Sequence, residues 1–223
     1  VLLTVMAGTG ALRPAHAQSC WSTGSTNVAF GTTGPEQSTD SQGTANLTCQ
    51  AGQSPRYLRW CLFLPQGSPI AGVNPRYMTN YNGSQMAFDL YADAARTQII
   101  GPPPTGGGFP VYTGTVLIPG NYAQPANNIP VYGRVPAGQN LPAVNPYASL
   151  ISNGQFSWAM DAGGYPSSCT SGASTGTVNF FMAVGASVSN ACRISLATDL
   201  DFGVVANLSS NRDQTSNHSW PWS

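Results

Sequence analysis

The chain contains no lysine and has little charge of either sign. Eight arginines balance eight acidic residues, and charged residues make up only 7% of the sequence, against roughly a quarter in a typical soluble domain. Nucleic acids and anionic membranes are bound through positive patches, which such a composition cannot supply. Apolar and aromatic residues are nevertheless frequent enough to fill a core, and glycine and proline are abundant. The composition therefore predicts turn-rich β-structure with no nucleic-acid partner.

Histidine is almost absent as well. His16 lies in the first seventeen residues and His218 lies near the end, so no histidine base or zinc ligand is available between them. Asp89, Asp93 and Asp161 include the acids that a glycosidase pair would need, but their spacing is more typical of turn and edge positions. The sequence predicts a protein that is not an enzyme, with no catalytic residue, no metal and no cofactor.

Residues 1–17 have the features of an incomplete signal peptide. A stretch of apolar and small residues ends in Ala15-His16-Ala17, which matches the small-x-small pattern of a signal peptidase site. The run is too short to span a bilayer. We expect an exported protein whose mature chain begins at Gln18.

An internal repeat indicates the domain organisation. Nine residues separate Cys20 from Phe30-Gly31, and nine separate Cys192 from Phe202-Gly203. Such self-similarity suggests that the opening of one domain recurs near the end. The prediction is one β-domain at 18–182, followed from residue 183 to residue 223 by the incomplete start of a sister domain.

Five cysteines in an exported chain predict disulfides. Four lie in the first domain and permit three pairings. The repeat favours a Cys20–Cys49 bridge, which leaves Cys61–Cys169 as the long-range one. Cys192 stands where Cys20 stands in the first copy, so its partner is expected in sequence that the second copy lacks.

Short apolar runs bounded by turn residues follow Cys20. Their lengths and spacing are typical of an antiparallel β-sandwich. Residues 57–64 are nearly continuously apolar, as in a strand buried on both faces, and only residues 89–96 could form a helical turn. The predicted strands are 26–30, 44–49, 57–64, 85–91, 111–118, 129–135, 155–160 and 177–188.

Three unusually long loops rich in proline or glycine interrupt these runs, at 65–74, 101–110 and 139–146. Long ordered loops are often functional. With so little charge, binding would depend on apolar and amide-rich loop tips that contact a hydrophobic surface. The candidate surface-binding residues are Ile70, Val73, Phe109, Val111, Leu141 and Val144.

Several segments together resemble one known family. They are Cys20 with Phe30-Gly31, Gly43-Thr44 leading to Cys49, residues 88–96 (FDLYADAAR), and residues 131–139 (VYGRVPAGQ). In this order they are similar to the spore coat U domain family, which includes subunits of archaic, Csu-type chaperone-usher pili. One departure is Asn145-Pro146-Tyr147, where Tyr147 matches the family pattern but the aspartate that should follow is missing.

The resemblance implies immunoglobulin-like sandwiches in which a pilin domain is completed by a strand from a chaperone or a neighbouring subunit. Only Gln18-Ser19 would precede Cys20, which is too short for a donor strand. We therefore expect a tip adhesin exported through the periplasm to the cell surface, where it mediates attachment and biofilm formation. Its partners would be a periplasmic chaperone, an outer-membrane usher, an adjacent pilin and an abiotic or host surface. The alternative is a structural coat or pilus-shaft subunit.

Overall fold

The computed structural model describes residues 18–68, 72–144 and 146–189, and this part of the chain is built from strands and loops. No helix in these ranges is long and apolar enough to cross a membrane. The strands are β1 (Ser19–Trp21), β2 (Ser25–Thr26), β3 (Val28–Thr33), β4 (Thr39–Gln50), β5 (Arg56–Phe63), β6 (Arg76–Thr79), β7 (Gln85–Tyr91), β8 (Tyr112–Ile118), β9 (Ala126–Val135), β10 (Tyr147–Asp161) and β11 (Ser174–Val188).

The strands form one curled sheet that folds into two layers. In the first layer β4 pairs with β1, β2 and β9. In the second layer β10 pairs with β11 and β5, and β5 pairs with β8. Strand β7 joins the layers, because Met86–Phe88 pair with β6 while Asp89–Tyr91 pair with β9. The result is the all-β, immunoglobulin-like sandwich that the sequence predicted.

Alternation along the strands builds the core between the layers. In β9, Ile129, Val131, Gly133 and Val135 are buried while the residues between them are partly exposed, as the period of two in a strand requires. Bulky side chains from both layers meet inside, among them Phe88, Tyr147 and Phe156. Because buried and exposed side chains alternate along each strand, the buried residues show which side chains of that strand face outward.

Strand β11 completes the second layer. It pairs antiparallel with β10 over almost its whole length, and its last residues, Val184 to Val188, pair in parallel with β3. Phe180, Met182 and Val184 point into the core and are almost fully buried. The gap between β10 and β3 is therefore filled from within the same chain.

Two disulfides staple the sandwich. Cys20–Cys49 joins neighbouring strands β1 and β4 across a sequence separation of 29, and Cys61–Cys169 spans a separation of 108. These are the pairings that the repeat favoured. Cys192, the signal segment 1–17 and the proposed second domain beyond residue 189 lie outside the described residues.

Each predicted run lies largely within an observed strand, but β4 and β10 begin five and eight residues earlier than predicted. The boundary predicted between residues 182 and 183 falls inside β11, which belongs to the first unit through Val188. Strands β1 and β6 were not predicted, and the segment that could have formed a helical turn instead ends β7 and enters a loop. The end of β5 is buried on both faces, as predicted, because Cys61 and Phe63 are covered by the loop that carries Cys169.

Candidate functional site

The described chain leaves the sandwich at one end, and three uncharged loops form the other. Val188 ends β11 beside the first residues of β10, whereas Ser174, where β11 starts, pairs with Met160 near the end of β10. Strand β5 starts and β8 ends beside that point. The loops 51–55, 119–125 and 162–173 connect strands there, and we call them together the distal end.

Tyr122 occupies a strained turn at the distal end. Asn121 and Tyr122 both have a φ of 58°, and the amide of Ala123 donates to the carbonyl of Gly120 at 3.3 Å, as in a type I′ turn. Asparagine tolerates this conformation, but tyrosine rarely adopts it. Amides of both residues donate to the carbonyls of Gln53 and Gly52, so loop 51–55 holds the turn in place.

Loop 162–173 forms a flap over the outer face of β5. The Cys61–Cys169 disulfide anchors it, and Nε of Arg59 donates to the carbonyl of Pro166. At its distal tip, Tyr165 packs edge-to-face on Tyr57, with ring centroids 5.0 Å apart. The flap is thus fixed at three successive points along one strand.

The distal end exposes apolar area without charge. Tyr165 is 48% exposed, Leu117 is 47% exposed beside Tyr57 in register, and Tyr122 is 38% exposed. The three loops contain no charged residue. Two charged residues flank them: Arg56 donates to the carbonyl of Pro55, and Asp161 accepts a bond from the amide of Ala162. This surface suits an uncharged partner, because it offers rings, methyl groups and amides but no ion pairs.

The structure does not bring the six predicted loop tips together. Val144 and the partly buried Leu141 lie at the opposite end from the distal loops, where the carbonyl of Val144 accepts a bond from Asn80. Val73, Phe109 and the 40% exposed Val111 lie on two loops that leave the middle of the sheet. Ile70 is outside the described residues.

A buried arginine holds those two middle loops. The guanidinium of Arg76 donates to the carbonyls of Leu64, Pro65, Val73 and Ile100 at 2.6 to 3.1 Å. Burial lowers the pKa of Arg76 to about 10. Burial likewise raises the pKa of Asp89 to about 6, against the opposing effect of Arg76. These loops are therefore anchored to the core, which limits how far their tips can move.

The family-like motifs supply a second charged cluster. Asp40 accepts two hydrogen bonds from Arg134, at 2.7 and 2.9 Å, and lies 3.2 Å from Nε of Arg96. The bond from Arg134 lowers the pKa of Asp40. Arg96 also donates to the carbonyl of Gly133. These residues tie the loop after β7 to strands β4 and β9, so their role is structural.

The three aspartates considered for catalysis each have a local partner. Asp89 is next to Arg76, Asp93 accepts bonds from the amides of Thr97 and Gln98, and Asp161 accepts one from the amide of Ala162. Among the described residues, no group of three or more histidine, cysteine or acidic side chains could hold a metal ion. Nothing in this geometry assembles an acid pair across a cleft.

These features define a disulfide-bonded β-sandwich whose distal loops carry no charge. The model of the Spore Coat Protein U domain matches residues 7–152, which is more than half of the chain. The chain therefore belongs to the Spore Coat Protein U domain family. The match ends within β10, so β11 lies beyond it.

No protein with a curated description matches the chain. Among solved structures, the CupB6 tip adhesin from Pseudomonas aeruginosa is 8% identical with a TM-score of 0.33, over 74% of this chain and 42% of that one. The chain thus spans less than half the length of that adhesin. The human CEP192 PapD-like domain 7 is 10% identical with a TM-score of 0.30, over 84% and 99%.

A family 123 glycoside hydrolase from Clostridium perfringens is 10% identical with a TM-score of 0.23, over 71% of this chain and 23% of the hydrolase. Identities and TM-scores this low do not establish a shared function.

Proposed function

We propose that this chain is the tip subunit of a chaperone-usher pilus and attaches the fibre to surfaces, which promotes biofilm formation. Membership of the Spore Coat Protein U domain family supports a role in a surface assembly. Its partners would be a periplasmic chaperone, an outer-membrane usher, an abiotic or host surface and the adjacent pilin, which the second domain would engage. The protein would be exported and displayed at the cell surface.

The observation that carries the proposal is strand β11. A sandwich that lacked it would expose the edge of β10 and the apolar groove beside β3, and would need a strand from another chain. Here Val184 to Val188 pair with β3, and β10 is paired along most of its length. A domain that is complete in itself needs no donor strand from a neighbour. This is the property expected of a unit at the end of a fibre.

We further propose that the distal end makes the contact. A tip domain is joined to its fibre where its chain exits, so the opposite end faces outward. Tyr122, Tyr165 and Leu117 expose apolar area at that end. Each square ångström of such area removed from water contributes roughly 25 cal/mol. The strain at Tyr122 also favours a functional role, because unfavourable backbone conformations cluster at binding sites.

Adsorption to polystyrene beads, compared with adsorption to bare silica, tests two proposals: that the chain attaches to surfaces and that the distal end makes the contact. We expect the full exported chain to bind polystyrene, and the Tyr122→Ser and Tyr165→Ser variants to bind it at least about tenfold more weakly, as for buried aromatic contacts at interfaces. Tyr81→Ser is the matched control. Tyr81 is 80% exposed but lies on the β6–β7 turn, away from the distal end.

The binding results distinguish the proposal that the chain attaches to surfaces from the proposal that its distal end makes the contact. Equal losses in all three variants, or a loss only in Tyr81→Ser, would exclude the distal end but leave the adhesin proposal. If the wild-type chain binds neither polystyrene nor silica, attachment itself fails. Val73→Ser and Val111→Ser test whether the loops predicted from the sequence take part in binding.

The alternative is a structural coat or shaft subunit, which the family's description as a spore coat domain favours. In that case the domain would fill space between subunits. Immunogold labelling of the assembled fibre distinguishes the two, because a tip subunit labels only fibre ends whereas a shaft or coat subunit labels the whole length.

A further inference from the structure

Strand β8 forms an open edge of the second layer. All seven of its residues, Tyr112 to Ile118, pair with β5 on one side, and no other strand among the described residues pairs with it. On the opposite side of this layer β11 is partly covered, because β3 pairs with Val184–Val188 and Oγ of Ser25 donates to the carbonyl of Phe181. Every second residue of β8 directs its N–H and C=O groups away from the sheet.

This strand lacks the features that usually protect an edge. Edge strands of natural proteins are commonly blocked by lysine, by proline or by a bulge. Residues 112–118 (YTGTVLI) contain no proline and no charged residue, and they pair with β5 without a shift in register. Thr113, Thr115 and Leu117 face outward and are exposed. The edge therefore suits an extended, uncharged segment that binds by strand addition.

The core side of β8 is already packed. Ile118 is fully buried, and the ring of Tyr112 packs edge-to-face on Trp60 with ring centroids 5.4 Å apart. The hydroxyl of Tyr112 also donates to the carbonyl of Pro130 at 3.1 Å. A partner strand would therefore contribute backbone hydrogen bonds but no side chain to the core. In this respect the edge differs from an open groove that a donor strand completes.

The sequence of β8 is complementary to itself about its midpoint, Thr115. In an antiparallel pair centred there, Thr115 meets its own copy and Thr113 lies opposite Leu117. On the core side, Gly114 lies opposite Val116, so a small residue faces a larger one. Such a pair forms about six to eight backbone hydrogen bonds. Because β8 is uncharged and the formal net charge of the chain is zero, two copies meet without net electrostatic repulsion.

We propose that two copies of this chain pair along β8, antiparallel and centred on Thr115, so that their second layers form one continuous sheet. The contact is isologous, as in most homodimers. A strand of seven residues is about 24 Å long, and a contact this narrow buries less than the roughly 1,200–2,000 Å² of a standard interface. The dimer is therefore weak and forms where copies are concentrated. This inference does not depend on the adhesin proposal.

Sedimentation equilibrium of the full chain tests the pairing, with Cys192→Ser as the parent so that no dimer forms through that cysteine. We expect the average mass to rise towards that of a dimer between about 10 μM and 1 mM. Thr115→Lys places like charges opposite each other and should weaken association at least about tenfold. Thr175→Lys is the matched control and should behave as the parent.

Thr175 is suited to this control because it is exposed and lies at the other end of the same row of paired residues. The row crosses four strands in the order Thr115, Arg59, Ala159 and Thr175. A general effect of the added charge would therefore appear in both variants, whereas loss of β8 pairing would appear only in Thr115→Lys.

A charge-swap mixture tests the symmetry of the contact. Thr115→Lys mixed with an equal amount of Thr115→Glu should again form dimers, each with one copy of either variant, because residue 115 meets residue 115 only in the two-fold arrangement. Such rescue also shows that both variants are folded. A parent chain that stays monomeric at about 1 mM, or a mixture that is not rescued, would overturn the proposal. Larger oligomers that Thr175→Lys abolishes would overturn it in favour of head-to-tail pairing between β8 and β11.

Discussion

Arg76 and Asp89 form an ion pair at the edge of the core, with Nη1 of Arg76 3.6 Å from Oδ1 of Asp89. The side chain of Arg76 is fully buried, and its guanidinium also binds four carbonyl groups of two loops. A charge taken out of water in this way is stable only while its partners remain. The pair therefore couples the stability of the sandwich to the position of those loops.

Replacing the arginine should be strongly destabilising. Arg76→Leu leaves four carbonyls without their donor and Asp89 buried without a counter-charge, and we expect a loss of about 3–5 kcal/mol in the free energy of unfolding. Urea denaturation measures it. Arg56→Gln, at a surface arginine, is the control and should change the free energy by no more than about 0.5 kcal/mol. Similar losses in both variants would mean that burial of Arg76 is not the cause.

Asp89 should make the protein less stable as the pH rises from 4 to 7. Its pKa is about 6 in the fold against 3.8 for an aspartate free in water, so between these values the folded state holds a proton that the unfolded state has released. The difference of about 2 pKa units corresponds to about 3 kcal/mol. The free energy of unfolding of the wild type relative to Asp89→Asn should fall by up to this amount across that window.

Asp40 should make the protein more stable as the pH rises, which is the opposite of the effect expected from Asp89. Its pKa is lowered by the hydrogen bond from Arg134, so its contribution is present above the unfolded pKa and is lost as the pH falls through the folded one. The Asp40→Asn variant should therefore be less stable than the wild type at pH 7 and equal to it in acid. Because the cluster is at the surface, we expect a small effect that 0.5 M salt reduces. A salt-independent difference would contradict this.

The two disulfides should contribute unequally. In the chain-entropy model, Cys61–Cys169, which closes a loop of 108 residues, stabilises the fold by about 4.8 kcal/mol. Cys20–Cys49, which closes a loop of 29 residues, stabilises it by about 3.6 kcal/mol. The Cys61→Ala, Cys169→Ala double variant should thus unfold at lower urea concentration than Cys20→Ala, Cys49→Ala. It should also weaken polystyrene binding, since it removes one of the three contacts that fix the flap carrying Tyr165. Unchanged binding would mean that the contacts from Arg59 and Tyr57 are enough to position Tyr165.

Tyr122 offers a test of the strain at the distal end. Tyr122→Asn should raise the free energy of unfolding by about 0.5–1 kcal/mol, because asparagine tolerates a positive φ, while it weakens adsorption to beads. A gain in stability with a loss of binding is the trade-off expected where a site is strained for function. If the variant were destabilised, packing of the ring and not its backbone strain would dominate.

The sequence predicted the strands well because their periodicity is strong. Residues 85–91 were assigned without error, and 57–64 and 129–135 closely, since each has a clear core face. The long-range Cys61–Cys169 bridge followed from pairing the other two cysteines by the repeat. Strands β1 and β6 were missed because they are only three and four residues long, and β6 also contains a buried arginine.

The site was harder to predict than the fold. The sequence analysis selected loops 65–74, 101–110 and 139–146 because they are long. Which end of the sandwich a loop occupies, however, depends on how the strands pair and not on the length of the loop. The distal loops are short or disulfide-anchored, and they became candidates only once the exit of β11 was known. Gly120-Asn121, typical of tight turns, was the one local signal that pointed to Tyr122.

The position of β11 also sets the order in which this fold can form during synthesis. Val184 pairs with Val28, so β3 lacks this partner until nearly the whole domain has been made. Until residues 174–188 emerge, the edge of β10 stays open and prone to pairing with other chains. A chain that extends only as far as β10 is therefore aggregation-prone, and it loses that liability once β11, the last strand of the described residues, has paired.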